Sequence, residues 1–127
     1  MKTKLLLGVF AIIGILALTN CGKKGCKTST ACNYDASVTE DDGTCITKGQ
    51  VTFWNTSSPN IITVSISGQS NQTITSSSPA TSCGGSGFAN FTLCPGTYSF
   101  TATDGTSNWS GNNVAITDNG CLLYQLL

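Results

Sequence analysis

Six cysteines spaced behind an apolar leader limit what this chain can fold into more than any other feature does. They are Cys26, Cys32, Cys45, Cys83, Cys94 and Cys121; a seventh, Cys21, closes the leader. The leader opens with Lys2 and Lys4 and runs apolar from Leu5 to Leu18, broken only by Gly8 and Gly14. A helical rise of ~1.5 Å per residue carries that stretch about 21 Å, short of the ~30 Å hydrocarbon core. It reads as a secretory h-region, so residues 1–20 are expected to be a signal peptide. Outside the reducing cytoplasm, an even set of cysteines in a small chain reads as a disulfide framework. Six cysteines allow about fifteen connectivities, and spacing alone does not separate them. Zinc is disfavoured, because the chain has no histidine and no Cys-x-x-Cys pair.

The leader ends Leu18-Thr19-Asn20-Cys21, which resembles a bacterial lipobox, with Asn20 where lipoboxes usually carry Gly, Ala or Ser. The resemblance implies cleavage before Cys21, lipidation (palmitate) of that cysteine, and a chain anchored to the membrane of the bacterial cell envelope. Gly22 is not the Asp that retains such lipoproteins, which implies the outer membrane. Residues 21–25 then form a lipidated tether reaching at most ~17 Å, with Lys23 and Lys24 solvated or resting on headgroups.

Beyond Cys21 the chain carries four lysines, Lys23, Lys24, Lys27 and Lys48, against six carboxylates and no arginine. A net negative, lysine-poor chain lacks the basic surface that phosphate neutralisation needs, so nucleic acid is excluded as a partner. Four of the six acids, Asp35, Glu40, Asp41 and Asp42, fall in one short segment.

That segment belongs to residues 26–45, an acidic Cys-rich module too short to bury a core without staples. It resembles a short module that recurs, often in tandem, in secreted proteins of some Gram-negative bacteria. The matching residues are Gly25, Cys26, Ala31, Cys32, Asn33, Tyr34, Asp41, Asp42, Gly43 and Cys45, with Thr44 in place of a Ser. Variants of the module with Phe at the position of Cys32 keep the outer cysteines, which implies a Cys26–Cys45 bond. Asn33, Asp35, Asp41 and Asp42 offer hard oxygens for calcium, which takes six to eight. The spacing is not that of an EF-hand. The alternative is a capped acidic turn, with Asp42-Gly43 as turn residues and Asn33 or Asp35 accepting from nearby N–H groups.

Residues 49–127 alternate with period two. Val51 and Phe53 alternate with Thr52 and Trp54; Ile62, Val64 and Ile66 with Thr63 and Ser65; Ala89, Phe91 and Leu93 with Asn90 and Thr92. Turn signals at Ser67–Asn71, Cys94-Pro95-Gly96 and Asp104-Gly105 separate these runs. The pattern predicts an all-β fold: an antiparallel β-sandwich of about seven strands, preceded by the small disulfide-stapled irregular module. Leu93 to Ala102 resembles the Pro-Gly-Thr-Tyr hairpin of carboxypeptidase-regulatory-like and other transthyretin-like sandwiches, which implies a non-catalytic domain. With Cys26–Cys45 taken, the preferred pairs are Cys83–Cys121 and Cys32–Cys94, the last tying module to sandwich. A Cys83–Cys94 bond would instead leave Cys32 for Cys121.

Trp54 and Trp109, the only tryptophans, have two readings. Each can pack in the sandwich core, the common fate of a strand tryptophan. Alternatively, with Tyr34 or Tyr124, they form a platform for sugar C–H faces, giving a glycan-binding lipoprotein. Four Asn-x-Ser/Thr sequons, at Asn55, Asn71, Asn90 and Asn108, are discounted because the lipobox points to a bacterial host. Catalysis has little to work with: no His, no Arg, no Gly-x-Ser-x-Gly elbow, and Glu40, Asp41 and Asp42 crowded on one turn. The expectation is a non-enzymatic surface, adhesion or interaction protein with a protein or glycan ligand.

Overall fold

The computed structural model describes residues 22–127, so the expected signal peptide, residues 1–20, and the expected lipidation site, Cys21, lie outside the described residues. Nine strands are described: β1 Lys24–Gly25, β2 Glu40–Asp41, β3 Gly49–Trp54, β4 Ile62–Ile66 and β5 Gln72–Ile74, then β6 Ala89–Leu93, β7 Gly96–Thr103, β8 Asn108–Ile116 and β9 Cys121–Gln125. The first two pair only with each other; the other seven form a three-stranded sheet, β6-β3-β9, and a four-stranded sheet, β5-β4-β7-β8. The fold is all-β, as the alternation predicts.

Alternation sets the faces. Ile62, Val64 and Ile66 are buried while Thr63 and Ser65 look outward; Phe100 and Ala102 are buried while Thr101 and Thr103 are exposed. The two inner faces meet in one cluster around Val51, Phe53, Val64, Phe91, Phe100 and Val114. Phe53 is fully buried, with ring centroids 4.9 Å from Phe100, 5.2 Å from Tyr124 and 5.9 Å from Phe91. Gly68 (φ 77°) and Gly105 (φ 88°) take the left-handed conformation that the β4–β5 and β7–β8 turns require.

One pairing departs from a purely antiparallel sandwich. β9 runs parallel to β3, with Val51 opposite Leu122 and Phe53 opposite Tyr124. This lays β9 along the edge of its sheet beside β3 and makes β3 the central strand. β8 also carries a bulge: Tyr98 faces Val114 but Phe100 faces Gly111, so Asn112 and Asn113 share the place opposite Ser99.

The module sits at one pole. Its buried apolar groups are Cys26 and Val38 alone, far too few to offset the ~1–2 kcal/mol of backbone entropy per ordered residue. Covalent bonds hold it instead. Cys26–Cys45 closes the module, Cys32–Cys94 fastens it to the β6–β7 turn, and Cys83–Cys121 pins the β5–β6 loop to the start of β9. These are the pairs preferred from the sequence. Thr47 adds to the junction by donating its N–H and hydroxyl to Asp118 in the β8–β9 turn. Tyr98 braces the bonded turn from inside, its hydroxyl donating to the Cys94 carbonyl at 2.8 Å.

Candidate functional site

The four oxygen donors considered for calcium do not converge. Asn33 spans the module, donating to the Thr44 carbonyl and accepting from the Ile46 N–H. Asp35 is paired with Lys23 and accepts from the N–H and hydroxyl of Ser37. Asp41 caps Gly43 and Asp42 caps Thr44. The three aspartates each close their own turn, as short Asp side chains do two residues ahead of an N–H, while Asn33 bridges the two ends of the module. Among the described residues no three His, Cys, Asp or Glu side chains gather where they could hold a metal. In the structure these side chains are engaged in turn caps, one ion pair and the Asn33 bridge.

The two tryptophans do not form one platform either. Trp54 follows Phe53 on β3, so it leaves by the outer face of the three-stranded sheet, half-buried, with its Nε1 enclosed and unpartnered. Trp109 lies on the other sheet, opposite buried Ala102, and packs partly on the core. Its Nε1 donates to the Leu127 carbonyl at 2.9 Å. A sheet layer separates the two indoles. Tyr34, the other aromatic considered, is in the module.

Trp109 and Tyr124 do line one cavity. β8 and β9 are the edge strands of their sheets on the same side, and the gap between them is lined by Phe100, Trp109, Tyr124 and Gln125 with the tail Leu126–Leu127. This cavity measures about 470 Å³. Gly111 makes the approach of the rings feasible, because a Cβ there would stand 2.7 Å from the Phe100 ring and 3.2 Å from the Tyr124 hydroxyl. A second cavity, about 390 Å³, lies on the outer face of the four-stranded sheet and shares Asn108, Trp109 and Ser110 with the first.

That outer face is a grid of hydroxyls and amides. The registers place Thr73, Thr63, Thr103 and Asn108 in one row across four strands, and Ser65, Thr101 and Ser110 in the next. Neighbours in a row are ~4.8 Å apart and successive rows ~6.7 Å. No charged side chain interrupts it. From Gly49 to Leu127 the chain holds two charged side chains, Asp104 and Asp118. Both are acceptors in turns: Asp118 from Thr47, and Asp104 from Ser107, Thr106 and Ser58. No known protein family, curated protein or solved structure matches this chain at a significant level.

Asp104 also fixes the pole opposite the module. The Ser107 N–H, the Ser58 hydroxyl and the Thr106 groups hold its carboxyl well below the usual carboxylate range. Ser58 belongs to the β3–β4 loop, so the carboxylate ties two loops together. A depressed folded pKa stabilises the folded state above the unfolded value, near 4, and that stabilisation disappears as pH falls through the folded value. Asp42, capped by Thr44, and Asp118, capped by Thr47, shift the same way. Melting temperature is therefore expected to decline as pH is lowered below about 4. Asp104→Asn should flatten that decline in thermal melts run at stepped pH. An identical acid profile in the variant would remove Asp104 from the account.

Proposed function

We propose that this chain is a non-enzymatic lipoprotein of the bacterial envelope that presents a rigid binding domain from the membrane surface. The observation that carries the reading is the Cys32–Cys94 bond. It fastens the segment next to Cys21 to one pole of the sandwich, so the part nearest the anchor cannot swing freely. The strands then run outward to the opposite pole, where the β3–β4 and β7–β8 loops meet at the Ser58–Asp104 contact. The expected tether is shorter than residues 21–25, because Lys23, Lys24 and Gly25 are paired to the module, and a stiff, disulfide-locked body held that close to its anchor suits presentation better than turnover. The acidic residues support the same reading, because those with described partners are committed to turn caps, ion pairs and ties between loops.

In this reading Cys21 carries the lipid, Gly22 leads into a base of residues 23–45, and residues 49–127 are the presented domain. Outer-membrane placement follows from Gly22. Metabolic labelling with a palmitate analogue is expected to mark the full chain and not the Cys21→Ser variant, which should leave the membrane fraction. Equal labelling of both chains would defeat the lipoprotein assignment. Label that is lost together with all membrane association, on an otherwise folded chain, would support it.

A further inference from the structure

The two cavities that share Trp109 narrow the chemistry of the ligand. We infer that the site straddling β8 binds a neutral saccharide chain, with Trp109 at the crossing between the hydroxyl face and the aromatic gap. The inference rests on the interaction reading above and names the ligand class for it.

Charge comes first. Neither cavity is lined by a charged side chain. An anionic group, whether phosphate, sulfate or uronate, would meet no cationic side chain in either cavity and would give up part of its hydration without a counter-charge. A neutral ligand meets no such penalty. Hydrogen bonding comes next: Thr101, Ser110 and Asn108 each present donors and acceptors, as a sugar hydroxyl does. The third element is the aromatic gap, where Trp109 and Tyr124 offer apolar faces beside Gln125. A sugar ring has both kinds of surface, an apolar C–H face and a polar edge, and the two cavities divide along the same line.

Other occupants fit less well. A peptide strand or a second copy adding to the β8 edge would need a regular ladder, and the bulge at Asn112–Asn113 interrupts it. An apolar helix would need a wider greasy groove than one flanked by Asn108, Ser110 and Gln125.

The test uses the full chain in detergent, run through native gels cast with a neutral β-1,3-glucan, a xylan or a mannan, and with alginate as the anionic probe. At least one neutral polysaccharide is expected to retard it, equally at low salt and at about 0.5 M salt, where the Debye length is a few ångströms. Ser110→Arg changes an exposed rim residue and should weaken retention about tenfold while leaving the melting temperature in place. Trp109→Ala should weaken retention as much, with a modest fall in melting temperature from its lost packing, and Trp54→Phe should leave retention intact. The inference is overturned if no neutral polysaccharide retards the chain, if Ser110→Arg leaves retention intact, or if alginate alone retards it and salt abolishes this. Binding of the same proteins to isolated envelopes separates the two readings. Envelope binding shared equally by wild type and Ser110→Arg would keep the interaction role and remove this site; no binding to envelopes or polysaccharides would remove both.

Discussion

Replacing Cys32 and Cys94 together by alanine is expected to lower the unfolding free energy by about 4 kcal/mol, the largest loss for any of the three bonds. The bond spans 62 residues, against 38 for Cys83–Cys121 and 19 for Cys26–Cys45. In the chain-entropy account the stabilisation grows with the logarithm of the closed loop, so the shortest bond contributes about 3 kcal/mol and the two longer ones about 4. The paired replacement avoids leaving one reactive thiol behind. Denaturant unfolding without reductant should show a lower midpoint and a steeper slope, because the less constrained unfolded chain exposes more surface. In melting temperature the loss amounts to well over 10 °C for a domain of this size. A change below about 1 kcal/mol would mean that Thr47–Asp118 and the packing of the junction already hold the module in place.

That bond illustrates how much of the fold the residues disclose. Period-two alternation assigns faces, so the burial of Ile62, Val64, Ile66, Ala89, Phe91 and Leu93 is legible before any coordinates. Turn chemistry is equally legible at Gly68 and Gly105, where the local backbone demands glycine. Alternation says nothing about partners, however. The parallel pairing of β9 with β3 joins strands about seventy residues apart with no local signal between them. The same gap explains the site. Trp109 and Tyr124 were both recognisable as candidate sugar-facing aromatics, but only the side-by-side placement of β8 and β9 brings them together and sends Trp54 elsewhere. For the acidic segment the opposite holds: composition suggests a metal loop, while each Asp is close enough to its own turn to be used there. Asn55 shows a different limit. In the sequence it stands out only as a discounted sequon, yet it is buried, donating to the Leu126 carbonyl and accepting from the N–H groups of Ser57 and Ser58.

Stability and binding should separate cleanly between Phe53 and Trp109. Phe53→Ala is expected to cost about 3–5 kcal/mol, the range for deleting a fully buried phenylalanine and leaving a cavity. The position is unfavourable for relaxation, because β3 is hydrogen-bonded on both sides and cannot shift inward without dragging β6 and β9. Three aromatic neighbours, Phe91, Phe100 and Tyr124, lose an edge or face contact at once. Phe53→Leu, which keeps most of the volume, should cost far less, under about 1.5 kcal/mol. Trp109 is half-buried at the sheet edge, so its truncation removes less packing and should be milder in denaturant than Phe53→Ala. Saccharide retention should rank the other way for proteins kept folded by their disulfides at low temperature. Trp109→Ala loses the crossing point between the two cavities, whereas Phe53→Ala disturbs the site only through Tyr124 and Phe100, which it supports from beneath. Were Phe53→Ala to abolish retention while Trp109→Ala spared it, the aromatic gap would be a packing defect of the sandwich edge and not a place where a ligand sits.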